Sequence, residues 1–190
     1  MAKGMYHYIK EAWRNPDKET LRNRMVDWRK SNSIVKVDKP LRLDRARALG
    51  YKDKKGVVVV RVRISRGGRR GTPTKKGRRS KRQTNKKVVK MNYKWIAEQR
   101  VGKKFTNLEV LNSYQIGKDG LHYFYEVILL DPAKKEIANS KDTKWITNPA
   151  NRKRVHRGLT SAAKKSRGLR NKHPTSKVRP SVRAGLRRGK

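Results

Sequence analysis

Cysteine is absent from the 190 residues of the chain, and no apolar run approaches the length of about 18 that a membrane-spanning helix needs. Without cysteine there are no disulfides and no thiolate metal ligands, and nothing points to an oxidising compartment. The first residues, MAKGMYHYIKEAW, lack the apolar core of a signal peptide. These absences predict a soluble, intracellular protein.

Acidic residues are also scarce: 14 Asp and Glu stand against 54 Lys and Arg, which gives a formal net charge of +40. Such a charge opposes compaction unless an anion is bound. The classes of partner that supply one are nucleic acid, an anionic membrane surface and an acidic protein.

Acids and aromatic residues avoid the same two segments. Residues 61–90 contain 14 Lys and Arg, residues 150–190 contain 15, and neither segment contains an acid or an aromatic residue. Segments with so little to bury cannot offset the entropy lost on ordering. The predicted organisation is one core domain over 1–65 and 91–149, a basic arm over 66–90, and a basic tail over 150–190.

The core-forming stretches alternate between helical and strand patterns. Asp17 and Asn92 are predicted helix caps, and Gly102 is predicted to end its helix. The predicted fold is α+β, with two N-terminal helices before a β-α-β-α-β-β order and a small mixed or antiparallel sheet covered by helices. The predicted helices lie near residues 5–13, 17–28, 43–49 and 93–101, and the predicted strands near 34–37, 57–65, 108–116 and 122–130.

Four aromatic residues fall on the last two predicted strands: Tyr114, Tyr123, Phe124 and Tyr125. One interpretation is a surface that stacks on RNA bases. The favoured one is a packed core, because the predicted helices need a sheet face to cover.

The two basic segments are the main functional signal. A short basic run is usually a solvated tail or a localisation signal, but each of these acid-free segments is 30 or more residues long, and a localisation signal does not need that length. The paired arginines of the arm, Arg69-Arg70 and Arg78-Arg79, suit phosphate, and the interspersed glycines let the backbone come close to it. A membrane-binding segment would carry bulky apolar residues, and a DNA reader would carry a recognition helix or zinc ligands. Folded RNA is the predicted partner.

Catalytic patterns are missing. The histidines are isolated, no dinucleotide-binding glycine motif occurs, and the spacing from Gly71 to Gly77 is one residue too long for a phosphate-binding loop. No carboxylates are paired for acid–base work. The chain is therefore predicted not to be an enzyme and to need no metal or cofactor.

Seven stretches of the chain match the pattern of one known family: YHYIKEAWR (6–14), RALGYK (47–52), VRVRISRGGRR (60–70), LEVLNSYQIGKDG (108–120), YFYEVILLDP (123–132), DTKWIT (142–147) and RGLTSAAKKSRGL (157–169). With these stretches the chain resembles the fifteen-e proteins of the archaeal and eukaryotic large ribosomal subunit. The resemblance implies a cytoplasmic, ribosomal protein with a small α+β domain similar to that of the twenty-three family of large-subunit proteins, and with long extensions embedded in ribosomal RNA (rRNA). It also implies a structural role without catalysis, with Mg²⁺ present only as part of the rRNA environment.

The expected partners are large-subunit rRNA and neighbouring ribosomal proteins, with no membrane and no homo-oligomer. Two alternatives remain: a general nucleic-acid compactor and an enzyme acting on RNA. Within the tail, Thr160 is predicted to cap a short helix whose amide end meets a phosphate. The residues predicted to bind RNA are Arg61, Arg63, Arg66, Gly67, Gly68, Arg69, Arg70, Lys75, Lys76, Arg78, Arg79, Lys81, Arg82, Lys86, Lys87, Arg152, Arg154, His156, Arg157, Lys164, Lys165, Arg167, Arg170 and Lys172.

Overall fold

A computed structural model describes residues 3–68 and 90–170. The described part is a mixed α+β structure with one four-stranded antiparallel sheet, as the sequence predicts. Short 3-10 helices occupy Lys144–Thr147 and Pro149–Asn151. The regular elements are α1 (Met5–Ala12), α2 (Lys18–Lys30), β1 (Ile34–Val37), α3 (Leu43–Ala48), β2 (Val57–Ser65), α4 (Tyr93–Lys104), β3 (Glu109–Lys118), β4 (His122–Leu130), α5 (Lys135–Ala138) and α6 (Ser161–Ser166).

The sheet has the strand order β1-β2-β4-β3, and every neighbouring pair is antiparallel. Strand β4 thus lies between β2 and β3, and its residues from Phe124 to Leu130 are buried. This burial on both faces explains why the β4 sequence is apolar without alternation.

Helix α4 covers one face of the sheet. Its Ala97 and Val101 pack with Val60 and Val62 of β2 and Val127 of β4. Successive side chains of a strand point to opposite faces, so every second residue of β2 and β4 packs against α4.

Helices α2 and α3 cover the other face. Trp28 of α2 and Ala46 of α3 pack there with Val59, Phe124 and Ile128. Tyr114 is buried in this same cluster, and Tyr125 is buried on the other face, in the cluster with α4. The core interpretation of these aromatic residues is confirmed for Tyr114, Phe124 and Tyr125.

The predicted helix caps are present: Asp17 accepts from the backbone of Thr20, and Asn92 accepts from that of Trp95. The prediction that α4 ends at Gly102 is wrong, because the helix continues to Lys104. A Cβ at Gly102 would lie 3.0 Å from Val155 Cγ1. The glycine therefore serves a close approach between α4 and a later segment rather than a helix stop.

Residues 150–170 pack against the domain. Val155 joins the core cluster under α4, and Ala162 and Ala163 of α6 are buried. The sequence did not predict this packing, since the segment contains no aromatic residue and few aliphatic ones. Within residues 3–68 and 90–170, no helix is long and apolar enough to cross a membrane.

Candidate nucleic-acid interface

The basic arm leaves the sheet at a fixed point at the end of β2. Arg66 donates its backbone N–H to Leu121 O at 2.8 Å, and its Nη1 donates to Asp119 O at 2.7 Å. Its guanidinium also lies 5.2 Å from the ring centroid of Tyr123. The tip of the β3–β4 hairpin therefore holds the first residue of the arm.

The next residue of the arm is held from the α4 side. Gly67 has φ +100°, a conformation that favours glycine, and its backbone N–H and O are each 3.0 Å from Tyr93 Oη. Gly68 is exposed. The direction in which the arm departs is thus set by two elements that the sequence places far apart.

Arg61 and Arg63, both predicted to bind RNA, are engaged within the fold. The Arg61 guanidinium lies 5.5 Å from the Trp28 ring centroid and donates to Ser31 Oγ at 3.2 Å. Arg63 donates to the backbone oxygen of Arg29. Burial lowers the pKa of Arg61. These two cations hold the end of α2 on the sheet.

Arg154 is similarly engaged. Its Nη1 donates to Val110 O at 2.5 Å and Leu111 O at 3.1 Å, and its guanidinium lies 4.8 Å from the Trp145 ring centroid. Burial lowers the pKa of Arg154. This side chain joins the segment after the second 3-10 helix to β3. Its guanidinium is already engaged by two backbone carbonyls and an aromatic ring.

The N-terminus of α6 is buried against an acid. Thr160 caps the helix as predicted, but its hydroxyl donates to Glu98 Oε2 at 2.6 Å. The other Glu98 oxygen accepts from Ser113 Oγ at 2.5 Å, and all three residues are buried. The hydroxyl that caps this helix is therefore also bonded to a carboxyl group of the protein itself.

Most other predicted cations of the tail are exposed. Exposed side chains include Arg152, His156 and Arg157, and also Lys164, Lys165 and Arg170. Arg167 is half-buried and donates to Gly158 O at 2.8 Å. The remaining predicted residues lie outside the described ranges: Arg69, Arg70, Lys75, Lys76, Arg78, Arg79, Lys81, Arg82, Lys86, Lys87 and Lys172.

Lys153 is a cation of this segment that the prediction passed over. It is exposed and has φ +51°, the left-handed region that costs a residue with a Cβ about 1–2 kcal/mol. Its backbone N–H donates to Glu109 Oε1 at 2.7 Å, which holds the turn. Nothing in the sequence distinguishes Lys153 from Arg152 or Arg154, because the turn depends on Glu109 in a distant strand.

The acids of the described residues do not form a metal centre. In residues 3–68 and 90–170, no group of three or more His, Cys, Asp or Glu could hold a metal ion. The buried acids are used singly instead: Glu98 binds two hydroxyls, and Glu126 accepts from Tyr114 Oη at 2.5 Å and from Leu41 N at 3.2 Å. Their arrangement fits a role in packing.

Comparison with known proteins identifies the family. The family described as Ribosomal L15 matches residues 4–185. A protein named large ribosomal subunit protein eL15, from Methanospirillum hungatei, is 51% identical over 196 residues covering 100% of both chains. Another of the same name, from Methanocella arvoryzae, is 48% identical with the same coverage. The chain therefore belongs to the ribosomal L15 family, as the motifs in its sequence predict.

Proposed function

We propose that the chain is a structural constituent of the large ribosomal subunit in the cytoplasm, and that it binds and stabilises folded large-subunit rRNA through its basic arm and basic tail. Family membership carries the ribosomal part of this conclusion, because both relatives are named as large-subunit proteins. Family membership also confirms the prediction that the chain is not an enzyme.

The RNA-binding part rests on the two acid-free segments and on how they are attached. The arm, 66–90, begins at the anchored pair Arg66 and Gly67, and the tail, 150–190, begins in a segment braced by Arg154 and Glu98. Rigid attachment lowers the entropy lost when the flanking cations bind phosphates. Each phosphate neutralised also releases condensed counterions.

The proposed contacts fall into two groups. In the described residues they are the exposed side chains of Arg152, His156, Arg157, Lys164, Lys165 and Arg170. In the arm they are the arginine and lysine clusters from Arg69 to Lys87. Arg61, Arg63 and Arg154 contribute by fixing the domain that presents these groups. A single copy of the chain, beside neighbouring ribosomal proteins, meets this role.

A sucrose-gradient profile of native lysate tests the proposal. In Mg²⁺ and moderately high salt, the chain should sediment with the large subunit. Sedimentation at the top of the gradient, or together with DNA, would overturn the proposal in favour of a general nucleic-acid compactor.

Binding by the purified full chain is the second test. Folded large-subunit rRNA should bind more tightly than duplex DNA of equal length, and the preference should depend on Mg²⁺. Lys164→Gln/Lys165→Gln should weaken rRNA binding and lower the magnitude of the salt slope by roughly 0.7–0.9 for each phosphate that is no longer neutralised. Lys18→Gln/Lys30→Gln removes the same charge from α2 and is the matched control.

A further inference from the structure

Two clefts share part of their lining, namely Thr106, Glu109 and Lys153. The smaller, about 300 Å³, lies between the C-terminal end of α4, the start of β3 and the segment around Val155. The wider, about 640 Å³, lies between β3, the end of β4 and the 3-10 helices. Lys153 lines both. The residue with the left-handed backbone is thus in contact with both concave surfaces.

The smaller cleft combines an apolar floor with a basic rim. Its floor is formed by half-buried Leu108, with the almost wholly buried Val110 and Val155 beneath it. Its volume lies at the lower end of the roughly 300–1,000 Å³ range that small-molecule sites occupy. The cationic side chains that line it are those of Lys103 and Lys153, and the imidazole of His156 lies beside them.

Gly102 of α4 lines this cleft and has no side chain to project into it. At Gly102, a Cβ would lie 3.0 Å from Val155 Cγ1 and 3.5 Å from His156 Nε2. The backbone of α4 therefore reaches the cleft directly. The acid that lines the cleft, Glu109, accepts from Lys153 N at 2.7 Å, so its carboxyl group fixes the turn that carries a rim cation.

The geometry points to this cleft as the binding site of one unpaired nucleotide of RNA, with its base against the apolar floor and its phosphate on Lys103, Lys153 and His156. This inference rests on the proposed function and adds to it one contact in which a base packs against the lining of the cleft. Single-stranded RNA is bound where unpaired bases pack on side chains beside a positively charged groove. In this cleft the imidazole of His156 and the aliphatic side chains offer the packing surface, and Lys103 and Lys153 supply the charge.

Lys153 permits a test that separates binding from folding. Asparagine adopts left-handed conformations more readily than lysine, so Lys153→Asn removes the cation while keeping or easing the turn. The thermal midpoint of Lys153→Asn should equal or exceed that of the wild type. Its affinity for folded large-subunit rRNA should fall at least about fivefold, because one charge-assisted hydrogen bond to a phosphate is removed.

The experiment compares three full-length proteins by filter binding to rRNA extracted from large subunits and folded in Mg²⁺. They are the wild type, Lys153→Asn and the matched control Lys18→Asn, whose lysine lies on α2 against the opposite face of the sheet. Equal reductions of affinity in Lys153→Asn and Lys18→Asn, or no reduction in Lys153→Asn, would overturn the cleft assignment while leaving the proposed function in place. Absence of rRNA preference in the wild type would instead overturn the proposed function.

A photo-cross-linker identifies the occupant. Benzoylphenylalanine at Thr106, an exposed residue lining the cleft, should cross-link to one or two unpaired rRNA nucleotides in the bound complex. The cross-link should weaken with Lys153→Asn. Cross-linking to base-paired nucleotides only, or in whole subunits to a neighbouring protein only, would overturn the assignment.

Discussion

Thr160 Oγ1 donates to Glu98 Oε2 at 2.6 Å, and this bond joins the N-terminus of α6 to the middle of α4. The same hydroxyl accepts from Ala163 N at 3.4 Å, so one side chain both caps a helix and satisfies a buried carboxyl oxygen. The tail thereby has a fixed attachment 62 residues from α4 along the chain.

Thr160→Val should destabilise the protein by about 1–3 kcal/mol. Valine matches threonine in shape but leaves the buried Glu98 oxygen without its donor and removes the cap. Denaturant unfolding followed by circular dichroism measures the change. Thr147→Val is the control, because the Thr147 hydroxyl donates to Lys144 O at an exposed site. Equal stability changes in the two variants would contradict the anchoring role of Thr160.

The stability of the protein should depend on pH through Glu98. Burial raises the pKa of Glu98, and hydrogen bonds from Ser113 and Thr160 lower it in part. The folded chain therefore keeps this proton to a higher pH than the unfolded chain does. The contribution of Glu98 to the free energy of unfolding is therefore greatest below the ordinary pKa of 4.5, and it is lost as pH rises from there through the raised pKa.

Glu98→Gln should flatten this fall, since glutamine cannot ionise. Burial also raises the pKa of Glu126, so part of the slope should remain until Glu126→Gln is added. Thermal midpoints between pH 4.5 and about 7, at constant ionic strength, measure the slope. Glu19→Gln removes an exposed acid of α2 and is the control. An unaltered slope in Glu98→Gln would contradict the raised pKa.

Local signals in the sequence were sufficient for most of the sheet and the caps. The apolar and β-branched runs bounded by turn residues predict Ile34–Val37 and His122–Leu130 with the bounds that the structure has. The caps Asp17 and Asn92 depend on residues only three positions away. Such features follow from neighbours along the chain.

Features that depend on distant residues were not predictable in the same way. Val155 packs closely against Gly102 of α4, where a larger side chain would not fit. The backbone turn at Lys153 is held by Glu109, which accepts the Lys153 N–H. Among the predicted cations, Arg61 and Arg154 are engaged within the fold because it brings aromatic rings to their guanidinium groups, whereas Lys164 is exposed. Charge in the sequence predicts the class of partner but not which cations remain available.

Tyr114→Phe should destabilise the protein by about 1–3 kcal/mol, because the phenol donates to the buried Glu126 Oε2 at 2.5 Å. Glu126 also accepts from Leu41 N, so this bond helps to hold the connection between β1 and α3. Tyr8→Phe, at a residue that is 58% exposed, should change stability by less than about 0.5 kcal/mol. Denaturant unfolding of both variants is the measurement, and equal stability of Tyr114→Phe and the wild type would contradict the prediction.

Gly158→Ala should destabilise the segment that carries the tail. Gly158 has φ +73°, and a Cβ there would lie 3.0 Å from Arg167 Cδ. Backbone strain and this close approach together should lower the free energy of unfolding by roughly 1–2 kcal/mol. Gly120→Ala is the control, since Gly120 has ordinary φ and no atom within 4 Å of an added Cβ.

The turn at Gly158 should also control proteolysis of this segment, because α6 begins soon after it, at Ser161. Protease cleavage within 152–170 should accelerate in Gly158→Ala and stay unchanged in Gly120→Ala. Equal cleavage rates in the two variants would show that the turn at Gly158 does not control the docking of this segment.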